Sequence, residues 1–553
     1  MLFGVEQNKH KQVETQENKQ EKKQTDEMVL SGEAPVAEPA EKNAAEGAAE
    51  KAEGESGAEA TDKTPVEAIQ AESAEAESSE VESYGTLDSH GEEQQAKSDH
   101  QIDIEVESKS QRRKLIIALM WPSLAENVLT SFMSMADMMM VGGLGAYAIS
   151  AVGLVMQPRF IMMASFMAMS VGTTALVARC KGARDPDGAN LAFQQSIMIT
   201  LGLTIALCIT MLFCAEPLIR WLAGSEISEL TIQESLKYFR IQIYGFPTMS
   251  LTFSINAALR GAGNTRASFN NNTVANVVNV ILNYCLISGN FGFPRLEVAG
   301  ASIATVIGQG VGMALAIYTV ARGKQYIKLN FKARWKLDLS MITRVVRIGL
   351  PALVEQIIMR VGMLWFTTIV TGLGELAYSA HMVTMNIMQL SFTTGMAFGT
   401  AVTTLVGQCL GRKREDLAKV YVRMTQNMGY VVSVALAVCM FIFGYQLAGL
   451  YSKEAAIIVL AADMLKIIAL SNPLSNARFV YVSALRGAGD SRYMAVMSFV
   501  GVLLVRPVVS EILVRFLDFG LSGVWIALAS DIVLCYILAL VRYKRGKWTT
   551  IKV

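Results

Sequence analysis

From Leu115 onward the chain alternates long apolar runs with short polar breaks. Each run holds about 20 or more residues, the length a helix needs to cross a bilayer at 1.5 Å rise per residue. Twelve runs are read, over 115–140, 146–178, 189–215, 233–259, 267–289, 298–321, 341–370, 375–409, 417–445, 456–485, 493–516 and 522–541. Only helices and closed barrels satisfy every backbone group in lipid, and these runs are too long and continuous for barrel strands. The pattern predicts an all-α integral membrane fold of twelve transmembrane helices. Residues 1–108 read differently, rich in Glu, Ala, Gln, Ser and Lys and poor in aromatic and β-branched positions. Such a segment cannot bury enough apolar surface to offset its ordering entropy, so a disordered acidic tail is expected. With no basic start followed by an apolar run, it does not read as a signal peptide.

Composition sharpens this picture. Of 553 residues 52% are hydrophobic, and the mean hydropathy is +0.35, outside the range of an ordinary soluble enzyme. The net charge of +1 conceals an asymmetry: residues 1–108 hold 28 acidic and 9 basic side chains, the remainder 20 and 40. The bases gather in alternate breaks, at Arg179, Lys181 and Arg184, at Arg260 and Arg266, across 322–336, at Arg412 to Arg414, and at Arg486 and Arg492. The intervening breaks hold Arg220, Arg295, Lys453 and Arg515. By the positive-inside rule both termini are expected in the cytoplasm of a multi-pass protein of the cell membrane. Bases spread between apolar runs make no nucleic-acid-binding stripe. None of the seven Cys forms a C-x-x-C pair, and only His381 of the four His lies in the apolar part. No disulfide framework, metal cluster or nucleophile–base set is therefore expected, and so neither an enzyme nor a cofactor.

Two halves repeat. Trp121-Pro122-Ser123-Leu124-Ala125-Glu126 matches Leu350-Pro351-Ala352-Leu353-Val354-Glu355 at an offset of 229, and Cys180-Lys181-Gly182 matches Cys409-Leu410-Gly411. Ala258-Leu259-Arg260-Gly261-Ala262-Gly263 recurs as Ala484-Leu485-Arg486-Gly487-Ala488-Gly489 at an offset of 226. Six helices duplicated in parallel imply two pseudo-symmetric lobes about an axis along the membrane normal, with substrate between them. The expected domains are a tail at 1–108, an N-lobe at 109–322, a cytoplasmic linker at 323–340, and a C-lobe with a short basic tail at 341–553.

Taken together, these features resemble the multidrug and toxic compound extrusion (MATE) family. The resemblance rests on the early Pro-x-x-x-Glu, on Ala136-Asp137 followed by Val141-Gly142-Gly143-Leu144-Gly145, and on the Arg-Gly-Ala-Gly-x-x-Arg segments of both halves. Asn279-Val280-Ile281-Leu282-Asn283 and Gly300-Ala301-Ser302-Ile303-Ala304-Thr305 add to it. It spans about 112–545 and omits the acidic tail. It implies a cation-coupled antiporter, driven by H⁺ or Na⁺, that exports amphipathic or cationic organic compounds such as drugs by alternating access. It also implies that Asp137, Asn279, Asn283 and Thr305 correspond to the family's N-lobe cation site. Where many relatives carry Asp on helix 5 this chain has Asn283, which removes one ionisable group. A flippase for lipid-linked precursors is the alternative within the same superfamily. A membrane scaffold or sensor that docks a protein partner through the acidic tail is the alternative outside it.

The residues support such chemistry on their own terms. Charges inside a membrane are expensive, so each is a functional candidate. Glu126 and Asp137 are 11 residues apart and share one face of helix 1. Asn276, Asn279 and Asn283 make one polar face of helix 5. A carboxylate takes H⁺, and with amide oxygens it offers hard ligands for Na⁺, so a bound Na⁺ is placed at Asp137. Glu126, Glu355, Arg360, His381, Arg506 and Asp531 form a substrate cavity or a secondary charge network. Helical geometry separates Glu355 from Arg360 by about 140°, so Arg360 is expected to meet a carboxylate on another helix. Arg506 and Asp531 fit a structural ion pair as well as transport, and His381 fits packing as well as pH sensing. The Met cluster at 133–140 suits a promiscuous apolar surface as well as a plain core. Because the tail lies outside the repeat, deleting residues 1–105 is expected to leave the protein in the membrane with substantial efflux, as measured by dye export at matched expression.

Overall fold

The computed structural model describes residues 108–223, 227–323, 325–329 and 335–551. The expected acidic tail up to 107 lies outside the described residues. The rest is all-α and built for a bilayer. The twelve long helices are α1 (Lys109–Gly142), α2 (Ala146–Gly182), α3 (Pro186–Ala223), α4 (Glu229–Gly261), α5 (Thr265–Ser288), α6 (Glu297–Ala321), α7 (Leu339–Thr371), α8 (Glu375–Gly411), α9 (Glu415–Ile442), α10 (Ala455–Gly487), α11 (Ser491–Phe516) and α12 (Gly520–Lys544). Ten of them are long and apolar enough to cross a membrane by composition alone. The other two are α4, with four charged residues in its first twelve positions, and α5, which carries six Asn. Asn272, Asn276 and Asn283 of α5 turn toward α1, and Asn271 toward α4, whereas Glu229, Lys237 and Arg240 of α4 stay exposed and pair with Arg220, Glu234 and Glu216.

Helices α1–α6 and α7–α12 form two six-helix lobes, and the repeat extends to backbone detail. The turn entering α2 places Gly145 at φ 114°, and the matching turn entering α8 places Gly374 at φ 95°. The Arg-Gly-Ala-Gly turns put Gly263 at φ 84° and Gly489 at φ 88°. L side chains avoid this region, so these positions require glycine. In both turns the arginine carbonyl accepts from the backbone N–H of the glycine three residues on, Arg260 from Gly263 and Arg486 from Gly489, each at 2.9 Å. The side chains of Asn264 and Asp338 cap α5 and α7 by accepting from the Ala267 and Met341 backbone N–H groups.

The first helix of each lobe begins inside the other. Ile116 and Leu119 of α1 are buried with Phe398, Leu405 and Tyr421 of the C-lobe. Met341, Val345 and Ile348 of α7 are buried with Ala175, Leu176 and Phe193 of the N-lobe. Both helices carry an internal proline, Pro122 and Pro351. Beyond it, α1 follows α5, and α7 follows α11, where Gly362 lies so close to the Val502 carbonyl that a Cβ would stand 2.7 Å from it. The helix α11 is not continuous α-helix. It has π-helical stretches at Phe499–Val505 and Ile512–Phe516 on either side of Arg506-Pro507. Pro507 has no N–H to donate, so the helical ladder is broken near it.

The lobes also meet through the C-terminal ends of α2 and α8. A Cβ on Gly182 would stand 2.0 Å from the Gln408 carbonyl oxygen, and one on Gly411 would stand 2.1 Å from that of Arg179. These two glycines are repeat mates, so each lobe supplies the same backbone-on-backbone contact. Thr404 Oγ1 donates to the Arg260 carbonyl at 2.9 Å, and Gln408 Nε2 to that of Gly261 at 3.2 Å. Any larger residue at Gly182 must push the lobes apart at this end. Thr404, 1% exposed at this contact, reports it: in a background without native Cys, Thr404→Cys is expected to label slowly with a thiol reagent, and adding Gly182→Val is expected to speed that labelling severalfold, measured by mass shift.

Candidate functional site

Helices α1 and α5 are joined by a ladder of polar contacts. At its foot the Glu126 carboxylate accepts from Asn272 Nδ2 at 2.5 Å and from Ser268 Oγ at 3.5 Å. It also lies 3.8 Å from Arg260 Nη1, which donates to Ser268 Oγ at 2.9 Å. One turn up, Asn276 Nδ2 donates to Thr130 Oγ1 at 3.3 Å. At the top Asn283 Nδ2 donates to Asp137 Oδ1 at 2.6 Å. Asn279 lies between Asp137 and Thr305 of α6. The amide orientation that satisfies both has its oxygen accepting from the Thr305 backbone N–H at 3.1 Å and its nitrogen donating to both Asp137 oxygens at 3.3 Å.

The four residues expected to form the N-lobe cation site, Asp137, Asn279, Asn283 and Thr305, therefore come together. Asp137 is half-buried, and Asn283 is 1% exposed. The Asn283 side-chain oxygen is buried and has no hydrogen-bond partner among the described residues. An orphaned acceptor beside a carboxylate is costly unless a cation or a proton serves it, and oxygen atoms are the ligands both Na⁺ and H⁺ take. Two neighbours escaped the sequence reading. Arg159 of α2, half-buried, and Tyr238 of α4, 5% exposed, lie in the surroundings of Asp137. Arg159 is the single charge of the run 146–178, so the cost of a charge inside a span was the signal that could have found it. Asn272 was within reach of the sequence, as the third Asn of the run 270–272.

The C-lobe holds the other candidates. Glu355 is buried and pairs with Arg486 Nη2 at 2.6 Å. Since Glu355 matches Glu126 and Arg486 matches Arg260, the repeat carries the same carboxylate–guanidinium pair in each lobe. Arg506 and Asp531 make a second buried pair at 2.5 Å, with Asp531 0% exposed. Cys535 Sγ donates to the same carboxylate, to Oδ1 at 3.2 Å. His381 is also 0% exposed, its ring 5.6 Å from that of Phe366 and 5.3 Å from that of Trp525. Neither imidazole nitrogen has a hydrogen-bond partner among the described residues, which places His381 in an apolar packing site.

Arg360 corrects an expectation. Instead of a carboxylate it meets a neutral amide: Nε and Nη2 both donate to Gln157 Oε1 of α2, at 3.0 and 2.6 Å. Its guanidinium lies 4.7 Å from the centre of the Phe160 ring. The preference for a carboxylate assumed that every buried charge is neutralised, and here an aromatic face and an amide dipole take that place. Among the described residues no group of three or more His, Cys, Asp or Glu gathers to hold a metal, and all seven Cys are free thiols.

Two lobes of six membrane helices, with a carboxylate and an orphaned amide oxygen inside the first, define a membrane transporter of the two-lobed, internally duplicated kind. The MatE family model matches residues 122–285 and again 351–511, and the chain belongs to that family. A relative named probable multidrug resistance protein NorM, from Thermotoga maritima, is 28% identical over 79% of this chain and 93% of its own length. The uncharacterized transporter YisQ of Bacillus subtilis is 26% identical over 78% and 94%. Among solved structures, an outward-facing multidrug resistance MATE family transporter of the MOP superfamily superposes with a TM-score of 0.74 at 21% identity, over 80% of this chain and 97% of that one. A MOP superfamily transporter from Pyrococcus furiosus, described as having a binding pocket of reversed polarity, gives 0.73 at 20% identity over 80% and 97%. These structures share the fold. The Arg506–Asp531 pair tests what holds the C-lobe. Asp531→Leu strands a buried guanidinium, which is expected to cost about 3–5 kcal/mol. A marked fall in melting temperature in detergent is expected, with most of it restored in Arg506→Met/Asp531→Leu.

Proposed function

We propose that this chain exports amphipathic or cationic organic compounds across the cell membrane, driven by inward movement of H⁺ or Na⁺ through the Asp137 site. The relatives named as multidrug resistance proteins support an efflux role. The observation that carries the coupling is Asp137 itself: a half-buried carboxylate held by Asn279 and Asn283, with the Asn283 oxygen unserved. A cation arriving there neutralises the carboxylate and serves that oxygen. The site lies five residues from the C-terminal end of α1, about 8 Å at 1.5 Å per residue.

In the orientation favoured by the loop charges that end faces outside, and both termini face the cytoplasm. The glycine contacts at Gly182 and Gly411 then stand on the cytoplasmic side. The described arrangement is closed to the cytoplasm and receives the coupling ion from outside. The N-lobe at 109–322 and the C-lobe at 341–553, joined by the linker at 323–340, rock about the substrate. Cation binding favours the turn toward the cytoplasm, and substrate binding favours the return. A shift of this kind requires each ligand to bind one state better than the other.

Asp137→Asn keeps the shape and most hydrogen bonding but removes the titrating charge. Normal insertion, retained dye binding and loss of gradient-driven efflux are expected in vesicles under separate H⁺ and Na⁺ gradients. Wild-type pumping by Asp137→Asn, with Glu126→Gln or Glu355→Gln inactive, would move coupling to the carboxylate–arginine pairs.

A further inference from the structure

The charged groups within the spans are not evenly matched between the lobes. In the N-lobe, Glu126 faces Arg260, and Asp137 is balanced in number by Arg159 of α2, with no ion pair between these two among the described residues. In the C-lobe, Glu355 holds Arg486, and Asp531 holds Arg506. Arg360 and Arg478 then remain with no carboxylate partner among the described residues. The Arg478 guanidinium lies 5.2 Å from the centre of its neighbour's ring, Phe479. Arg360 is placed differently, because its one polar partner belongs to the other lobe. It lies 11 residues from the end of α7, and Gln157 lies 11 residues from the start of α2. Both are about 16 Å along their helices, near mid-depth.

We infer that Arg360 recognises an anionic group on the exported compound, so that the substrates of this chain include amphipaths bearing a carboxylate. The inference rests on the export reading and narrows its substrate class.

The chemistry follows from what surrounds the guanidinium. Gln157 supplies a single neutral oxygen to two donors, Nε and Nη2, which a carboxylate can engage through two oxygens in a planar fork. The charge-assisted bonds so formed are stronger than those to an amide, so a carboxylate brought to this depth by its apolar body competes with Gln157 for the guanidinium. Apolar residues stand within one turn of the pair: Met156 and Ile161 on α2, Ile357 and Val361 on α7, all exposed in the protein alone. A guanidinium at mid-depth among exposed apolar side chains fits a compound with an apolar body and one anionic group. Because the donor and its provisional partner sit on opposite lobes, an anion at Arg360 also releases a bond between the lobes.

The test uses a matched pair of dyes: rhodamine 110, whose benzoate is free, and its methyl ester, rhodamine 123. Efflux of each is measured in vesicles for the wild type, Arg360→Ala, Arg360→Lys and Gln157→Glu, with monodispersity in detergent as the check on folding. The readout is the ratio of the two KM values. Arg360→Ala is expected to shift that ratio against the carboxylate dye by about tenfold, the scale of one hydrogen bond to a charged group. Gln157→Glu leaves the arginine in place but gives it a tethered carboxylate, and the same direction of shift is expected. Arg360→Lys keeps the charge, and its ratio is expected to stay closer to the wild type than that of Arg360→Ala. Wild-type export of the ester without the carboxylate dye overturns the inference and leaves the export reading intact. An unchanged ratio in both Arg360→Ala and Gln157→Glu overturns it as well. A folded wild type that moves neither dye overturns the export reading beneath it.

Discussion

A charged side chain at the centre of a membrane helix costs about 2.5–3.5 kcal/mol on insertion scales, and more where it has no partner. The arrangement of this bundle follows from how that cost is met. Glu126 and Glu355 each reach the arginine of an Arg-Gly-Ala-Gly turn in their own lobe. Each pair ties the first helix of a lobe to the turn after its fourth. The N-lobe turn is also where the C-lobe docks, since Arg260 and Gly261 offer their carbonyls to Thr404 and Gln408. One short segment thus serves two interfaces: its side chain holds α1, and its backbone holds the opposite lobe. Buried ion pairs add little stability over apolar packing. What the pairs contribute here is register, because a helix bound by a carboxylate at one level cannot slide by a turn without stranding a charge.

Much of this was legible in the sequence. The twelve runs predicted the twelve helices because bilayer thickness sets helix length, and that constraint acts on local composition alone. The duplication was legible because turns that need glycine at positive φ leave a fixed residue at a fixed offset, as at Gly263 and Gly489. The face shared by Asn276, Asn279 and Asn283 was legible from helical period. Side-chain partners on other helices were not. Arg260 read as a loop base and Glu126 as a mid-membrane acid, although both recur in the second half as Arg486 and Glu355. Their joint duplication was the signal that linked them. Arg360 had no such mark, and its partner Gln157 is 203 residues away in sequence. Nor did the period reveal the π-helical stretches of α11, where the apolar pattern runs on unbroken and Pro507 is the local sign.

The repeat also separates scaffold from chemistry. Features needed to fold and join two lobes appear twice: Pro122 and Pro351, Gly182 and Gly411, Glu126–Arg260 and Glu355–Arg486. The candidate coupling residues appear once. At an offset of 229, Asp137 falls on Phe366 and Arg159 on Met388. At 226, Asn283 falls on Val509, while Arg506 falls on Val280. Arg360 falls on Ser131 and His381 on Val152 at the first offset. One backbone plan therefore carries two different interiors. In the N-lobe the polar atoms sit around a carboxylate with an unserved amide oxygen beside it. In the C-lobe the corresponding level is filled by Phe366, His381 and Trp525, with the Arg506–Asp531 pair alongside.

That division bears on how two binding events communicate. If both lobes carried the same titratable site, a cation would bind each alike and would not favour one tilt over the other through either. Asp137 has no repeat mate in the C-lobe, so under the proposed mechanism a cation bound there would act on α1 and α5, while Arg360 offers its charge from α7 of the C-lobe toward α2. The two helices that carry these groups, α1 and α7, are the pair that begin in one lobe and end in the other. A change in charge at Asp137 or at Arg360 is therefore imposed on a helix anchored at its far end in the opposite core, at Ile116 and Leu119 for α1 and at Val345 and Ile348 for α7, with Pro122 or Pro351 between anchor and charge. Coupling in such a frame needs no contact between ion and substrate. It needs only that each ligand binds one tilt of its helix better than the other, and that the lobes so tilted meet at the Gly182 and Gly411 contacts of α2 and α8.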